Sequence, residues 1–250
     1  MALKSKIEWT ENTWNPITGC TQISEGCKNC YALRMATRLQ KMGNDKYKNG
    51  FTLSLHEGCL SEPYSWKKPA RIFVNSMSDL FHVDVPTEYI QKIFTVMNEN
   101  SKHIFQVLTK RADRLNEIMN CVNLTNNIWL GVTVENENNK SRIDKLRSIP
   151  AKVKFVSFEP LLGDVKKIDF NGIDWAIIGG ESGYGARPIS EEWVINIKNQ
   201  CEEQGVMFYF KQWGGVNKKK TGRLLLDRTW DDMPIIENIN NTLSISSPQF

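Results

Sequence analysis

Short apolar runs recur along this chain and alternate with helical patterns. Arg71-Ile72-Phe73-Val74, Ile104 to Leu108, Ile128 to Val132, Val153 to Val156, Trp175 to Ile178 and Met207 to Phe210 are all rich in β-branched or aromatic residues. Most lack a strict apolar–polar alternation, so they predict strands covered on both faces. Between them the spacing changes to that of an amphipathic helix. Pro86 opens a segment with Ile90, Ile93, Phe94 and Met97 on one face, a second helix runs to about Met119, a third carries Ile143 and Leu146, and a fourth centres on Trp193 to Ile197. Nearer the start, Tyr31 to Met42 places Leu33, Met35, Ala36 and Leu39 among basic residues and ends at Gly43-Asn44, again a helix. Trp14 to Ile17 and Phe51 to Leu55 read as further short strands.

This alternation predicts βαβ units around a parallel sheet. Right-handed crossovers leave an open doubly wound sheet or a barrel. The polar residues favour the barrel. Asn75, Ser76 and Asp79, then Lys110, Glu135, Glu159, Glu181, and Lys211 with Gln212 each fall just past a strand. In a barrel those positions meet on one rim, where sites are built; in an open sheet they spread along an edge. The expectation is a full or partial parallel (β/α) barrel, TIM-like, over residues 1–215, with 216–250 as a C-terminal extension. Gly222, Asp227, Asp231, Asp232 and Pro234 mark turns there, and Asn238 to Phe250 reads as a polar, loosely docked end.

Composition changes this picture little. The 250 residues are 40% hydrophobic and 24% charged, as in a soluble globular domain. No apolar run is long enough to span a bilayer, and the first residues lack the apolar core of a signal peptide, so a cytoplasmic protein without a membrane partner is expected. A net charge of +4 permits a nucleic-acid partner without requiring one. Lys218-Lys219-Lys220 with Arg223 reads as a solvated loop.

The cysteines matter more. Cys20, Cys27 and Cys30 are spaced C-x6-C-x2-C, whereas Cys59, Cys121 and Cys201 are scattered. Clustered thiols in a reducing compartment indicate metal or redox chemistry, and thiolates suit an iron–sulfur cluster, zinc or copper(I). Structural zinc wants four closed ligands. A cubane held by three thiolates keeps one iron open. A [4Fe-4S] cluster is therefore the first reading; zinc with a distant fourth ligand, Cys59 included, and cysteines that bind no metal stay open.

A cysteine triplet after a first strand of a βα-barrel chain resembles the radical S-adenosylmethionine enzymes. Those enzymes usually carry C-x3-C-x2-C with an aromatic before the third cysteine. Here the first gap is longer, Asn29 holds the aromatic's place, and Tyr31 follows. Over almost the whole chain there is a nearer likeness. Trp14-Asn15-Pro16, Asn75-Ser76-Met77-Ser78-Asp79, Leu108-Thr109-Lys110-Arg111, Gly131 to Asn136, Ser157-Phe158-Glu159-Pro160, Gly179-Gly180-Glu181-Ser182-Gly183 and Phe210 to Gly215 resemble the phage-type three-cysteine-motif proteins, a family of unassigned function.

The radical resemblance implies S-adenosylmethionine on the open iron, an electron donor, and hydrogen abstraction from a substrate, with nucleotide or nucleic acid as the substrate guess. Gly179-Gly180-Glu181 resembles the motif that holds the methionine end of that cofactor. Asn75, Ser76 and Asp79 are further candidates to hold it, and Lys211 and Gln212 could line it. Lys110, Glu135 and Glu159 are the candidates for proton transfer or orientation. Each is also a residue type that caps or solvates a βα loop. Arg187 is a candidate anion clamp or a surface residue. The competing class is a binding or adaptor protein whose cysteines hold structural zinc or an inert cluster.

Overall fold

The computed structural model describes residues 3–5 and 7–235; the expected loose end from Asn238 lies outside the described residues. Its main sheet has eight strands. In chain order, β1 is Leu3–Lys4, β2 Asn12–Trp14, β5 Arg71–Val74, β6 Ile104–Thr109, β7 Ile128–Thr133, β8 Val153–Phe158, β9 Trp175–Gly179 and β10 Met207–Gln212. They lie side by side in the order β1-β2-β5-β6-β7-β8-β9-β10. β1 is antiparallel to β2, and the remaining seven strands run parallel. β3 (Ile17–Thr18) and β4 (Ser54–Leu55) pair separately. The helices are α1 Tyr31–Lys41, α2 Thr87–Glu99, α3 Ala112–Met119, α4 Ser141–Arg147, α5 Glu191–Gln204 and the single turn α6 Lys218–Thr221.

Two sequence expectations shift. The first strand is Asn12–Trp14 rather than Trp14 to Ile17, and β3 is a separate element. Proline lacks the N–H that a continuing ladder needs and restricts the residue before it, so Asn15-Pro16 ends the strand. The strand expected over Phe51 to Leu55 shrinks to Ser54–Leu55, because Gly50 (φ +63°) and a turn precede it.

The sheet curls into a partial barrel. Strands sit about 4.8 Å apart, so β5 and β9, four places apart, would be roughly 19 Å apart in a flat sheet. Yet one indole, Trp9, touches both: its ring centroid is 4.7 Å from Phe73 on β5 and 6.2 Å from Trp175 on β9. Trp9, Phe73, Trp129, Phe155, Trp175 and Tyr209 form a buried aromatic floor on the concave face. Gly131 is required there, since a Cβ would fall 2.4 Å from the Phe155 ring. The convex face packs Val107, Ile128, Leu130, Val132, Val156 and Ile178 under the helices, whose apolar stripes supply Ile93, Leu115, Ile143 and Ile197. Each buried side chain of this kind stabilises by roughly 1.5–3 kcal/mol. The barrel is open, because the edge strands of the sheet, β1 and β10, do not pair. No helix among the described residues is long and apolar enough to cross a membrane.

Candidate active site at the strand tips

Side chains alternate along a strand, so the inward series begun by Phe155 continues to Glu159 just past β8, while Lys211 sits at a register shift in β10 between Phe210 and Gln212. These two pair: Lys211 Nζ lies 2.7 and 2.9 Å from the two Glu159 oxygens. Gln212 Nε2 reaches the same carboxylate at 3.5 Å, while its Oε1 is buried with no partner among the described residues.

The cysteine loop lies over these tips, fastened from several strands. Beyond β7, Glu135 is fully buried. Its Oε2 accepts from Arg142 at 2.7 Å, and its Oε1 accepts from Ser24 Oγ. A Cβ on Gly26 would lie 2.6 Å from Glu135 Oε1, so the loop can pass only as glycine. Beyond β9, Glu181 Oε2 accepts from Asn29 Nδ2 at 2.8 Å and from the Arg187 backbone N–H at 2.9 Å, while Oε1 accepts from Arg187 Nη2 at 2.6 Å. Arg187 Nη2 also donates to Glu25 O. Burial raises the Glu181 carboxyl, but the Arg187 side chain and N–H and the Asn29 amide outweigh it and hold it down at about 2.

Beyond β6, Arg111 donates to Thr21 O and Oγ1 at 3.2 and 2.9 Å. His82 Nδ1 accepts the Asp84 N–H at 3.2 Å, which leaves Nε2 to carry the proton donated to Thr21 Oγ1 at 2.8 Å. Burial and then Arg111 lower the His82 pKa and keep the ring neutral.

The early tips also hold the scaffold together. Asp79 accepts from Thr109 Oγ1 at 2.7 Å and from the Lys110 N–H at 3.1 Å, tying the end of β5 to the end of β6. Asn75 sits at φ +58° and its Oδ1 accepts the Ile17 N–H at 3.3 Å; its Nδ2 is buried without a partner among the described residues. Ser76 Oγ donates to Asn15, and Ser76 O accepts from the Tyr31 hydroxyl. Burial, then the Cys30 and Glu159 charges, push the Tyr31 phenol up. Gly179 and Gly180 serve packing as well: a Cβ on Gly180 would fall 2.1 Å from Trp213 O, where the loops after β9 and β10 run together. Lys110 is half-buried at the same rim.

The three thiols are half-buried. Cys27 lies in the 3₁₀ turn Glu25–Cys27 and Cys30 is the N-cap of α1. Burial, then the Asp79 charge, push the Cys20 thiol up to about 11, against Arg111, with Cys27 adding to the rise. In kind, three soft donors on one anchored loop fit an iron–sulfur cluster. No group of three or more His, Cys, Asp or Glu side chains placed to hold a metal, the three loop thiols included, is found among the described residues. Cys59 lies against the Lys46 ammonium, 3.2 Å away.

The residues that fasten the loop, Ser24, Asn29, Arg142 and His82, carry no local signal. Arg187 is an internal clamp on Glu181 rather than a surface residue.

The fold is shared with spore photoproduct lyase. A double mutant of that enzyme with bound AdoMet and dinucleoside spore photoproduct superposes with a TM-score of 0.50 at 10% identity, over 81% of this chain and 64% of the lyase chain. A further lyase structure, complexed with dinucleoside spore photoproduct, gives 0.47 at 10% identity over the same shares. This chain thus spans somewhat under two thirds of the lyase's length, and at such identity the likeness is one of fold. No curated protein matches the sequence. A family profile described as "Protein of unknown function (DUF5131)" matches residues 4–234, and the chain belongs to that family.

Proposed function

We propose that this protein is an iron–sulfur, S-adenosylmethionine-dependent radical enzyme acting on a nucleotide or nucleic-acid substrate. One observation carries the reading: a loop with three half-buried thiols is fastened over the polar tips of a parallel partial barrel by carboxylates that those strands supply. A lyase of the same fold binding AdoMet and a dinucleoside supports it.

Cys20, Cys27 and Cys30 would hold the cluster. When bound, it would supply one electron for reductive cleavage of the S-adenosylmethionine sulfonium. Glu135 and Glu181 act as positioning residues, since both carboxylates already hold the loop. Glu159 and Lys211 are left as the inward-facing acid–base pair, able to orient a polar ligand or hold a proton at the Lys211 ammonium. The unpartnered Asn75 amide nitrogen and Gln212 amide oxygen offer one donor and one acceptor to such a ligand. The aromatic floor excludes water from below.

The test is purification without oxygen, followed by iron and sulfide analysis and reduction with S-adenosylmethionine present. Visible absorption with iron bound and 5′-deoxyadenosine formed is the expected result. A colourless protein carrying stoichiometric zinc, with none of that product, would favour a structural metal in a binding protein and overturn the proposal.

A further inference from the structure

Among the side chains that bridge the barrel's open seam at the rim is Arg34. Arg34 of α1 donates to Tyr184 O and Ser182 O, each at 2.9 Å. Along this bridge runs an open cleft of about 470 Å³, with α1 as one wall and the loops after β9 and β10 as the other. Tyr31, the residue after Cys30, lines it.

The charge of these walls is one-sided. Residues 31–44, 182–190 and 213–226 hold eight of the chain's 32 Lys and Arg and none of its 28 Asp and Glu. Three of the eight are met by carboxylates from elsewhere: Lys218 by Glu8, Arg187 by Glu181 and Arg223 by Asp231. Arg38 lines the cleft, Lys41, Lys219 and Lys220 continue the same two segments beyond it, and all four are exposed with no ion pair among the described residues. Arg34, Arg38 and Lys41 share one face of α1, one turn after another, so their charges form a row instead of converging on a point. The aromatic surface lies between the rows. Tyr184 is 88% exposed, and Tyr31 is 50% exposed although its hydroxyl is tied down.

We infer that this cleft binds single-stranded nucleic acid, with Arg38, Lys41, Lys219 and Lys220 along the phosphates and Tyr184 stacked on a base. Rows of unpaired cations flanking exposed aromatic rings are what an unpaired strand needs, because every base has a face to stack and the backbone charge is linear. A strand in this cleft passes Tyr31 and so reaches the cysteine loop. The inference deepens the proposed function by naming its substrate class and rests on that reading only for what happens after binding.

The experiment uses fluorescein-labelled oligothymidylate, a duplex of the same length and phosphatidylserine vesicles, with the full chain free of cluster and S-adenosylmethionine. The single strand binds more tightly than the duplex. Four phosphate contacts at about 0.7 in the salt slope each predict roughly 50-fold weaker binding at 200 mM than at 50 mM salt. Tyr184→Ala weakens binding about tenfold. Arg38→Glu with Lys219→Glu weakens it more than tenfold and flattens the salt slope, whereas Lys152→Glu, at the opposite end of the barrel, leaves it unchanged. Circular dichroism confirms that each variant is folded. Equal binding of duplex and single strand, variants that bind like the wild type, or vesicle binding that alone responds to the substitutions would overturn the inference. Since no cofactor is present, failure here leaves the proposed chemistry standing, and failure of cofactor cleavage leaves the cleft's role standing.

Discussion

Asn29, between the second and third clustered cysteines, donates its amide to the Glu181 carboxylate at 2.8 Å, joining residues 152 positions apart in the chain. Arg187 holds the other side of that carboxylate. The strand-tip glutamate that resembles a cofactor ligand is therefore occupied in fixing the loop.

Replacing Glu181 by Gln is expected to cost about 1.5–3 kcal/mol at neutral pH, the range for hydrogen bonds to a charged group. The sign of the pH dependence follows from the depressed carboxyl. Its pKa in the folded protein is about 2, below the ordinary 4.5. The contribution is therefore complete above about pH 4.5 and disappears as pH falls towards 2. Urea midpoints of wild type and Glu181→Gln should differ at pH 6 and converge near pH 2. A gap independent of pH would mean that the amide, not the charge, is what matters.

Glu135 allows a sharper comparison. Its carboxylate is fully buried and Arg142 is its cation, with 11% of the Arg142 side chain exposed. Removing one partner of such a pair leaves an uncompensated charge, at a cost of about 3–5 kcal/mol. Arg142→Met should therefore destabilise more than Glu135→Gln, which leaves a neutral amide able to meet Ser24. Thermal unfolding of the two variants and their double mutant checks this. Adding Glu135→Gln to Arg142→Met should recover part of the loss.

Gly26→Ala tests the same contact from the loop. The new methyl meets Glu135 Oε1 at 2.6 Å, and that oxygen is held by Ser24. The carboxylate cannot retreat without breaking its bond to Arg142, so the loop must lift. Reconstituted iron should fall severalfold while the far-UV spectrum is retained. Gly58→Ala, where nothing lies within 4 Å, serves as the control and should bind iron like the wild type.

How much of this could be read from the chain differs by level. β7 and β9 are buried at every position, which is why an unbroken apolar run identified them. The polar residues after the strands did mark the rim, because each follows a strand whose direction is fixed by its crossover. Their partners were not legible. Nothing near Glu135 announces Ser24, which is 111 positions away, and nothing near Glu181 announces Asn29. Such pairs arise only once the sheet curls. Of the two-residue strands, β4 was caught inside the longer run Phe51 to Leu55 and β3 was merged into the strand expected over Trp14 to Ile17, while Trp9 gave no sign of being the floor of the barrel. The lysines at 218–220 were legible as charge, but their place opposite α1 depends on the seam.

Among the described residues Glu159 and Lys211 make no hydrogen bond or ion pair to the cysteine loop and instead bond to each other, which separates their role from that of the two fastening carboxylates. Glu159→Gln and Lys211→Met should each leave bound iron unchanged and reduce turnover by about 10²-fold or more, the range for a positioned acid–base group. Their effects should be far from additive, because either change dissolves the pair. Single-turnover rates on the reconstituted protein measure this. Loss of iron in either variant would make the pair structural.

The cysteines give the last contrast. Among the described residues the Cys27 thiol makes one weak contact, Ser24 Oγ to Sγ at 3.8 Å, so its loss removes the proposed ligand and little else. Cys59 rests against the Lys46 ammonium, and its carbonyl accepts from Trp14 Nε1 whatever the side chain is. Cys27→Ala should therefore lose nearly all iron and sulfide after anaerobic reconstitution, with thermal stability of the metal-free protein almost unchanged. Cys59→Ala should retain both. Equal metal content in the Cys27 variant and the wild type would remove the cluster from this loop, and retention in Cys27→Ala together with loss in Cys59→Ala would move the metal to the far side of β4.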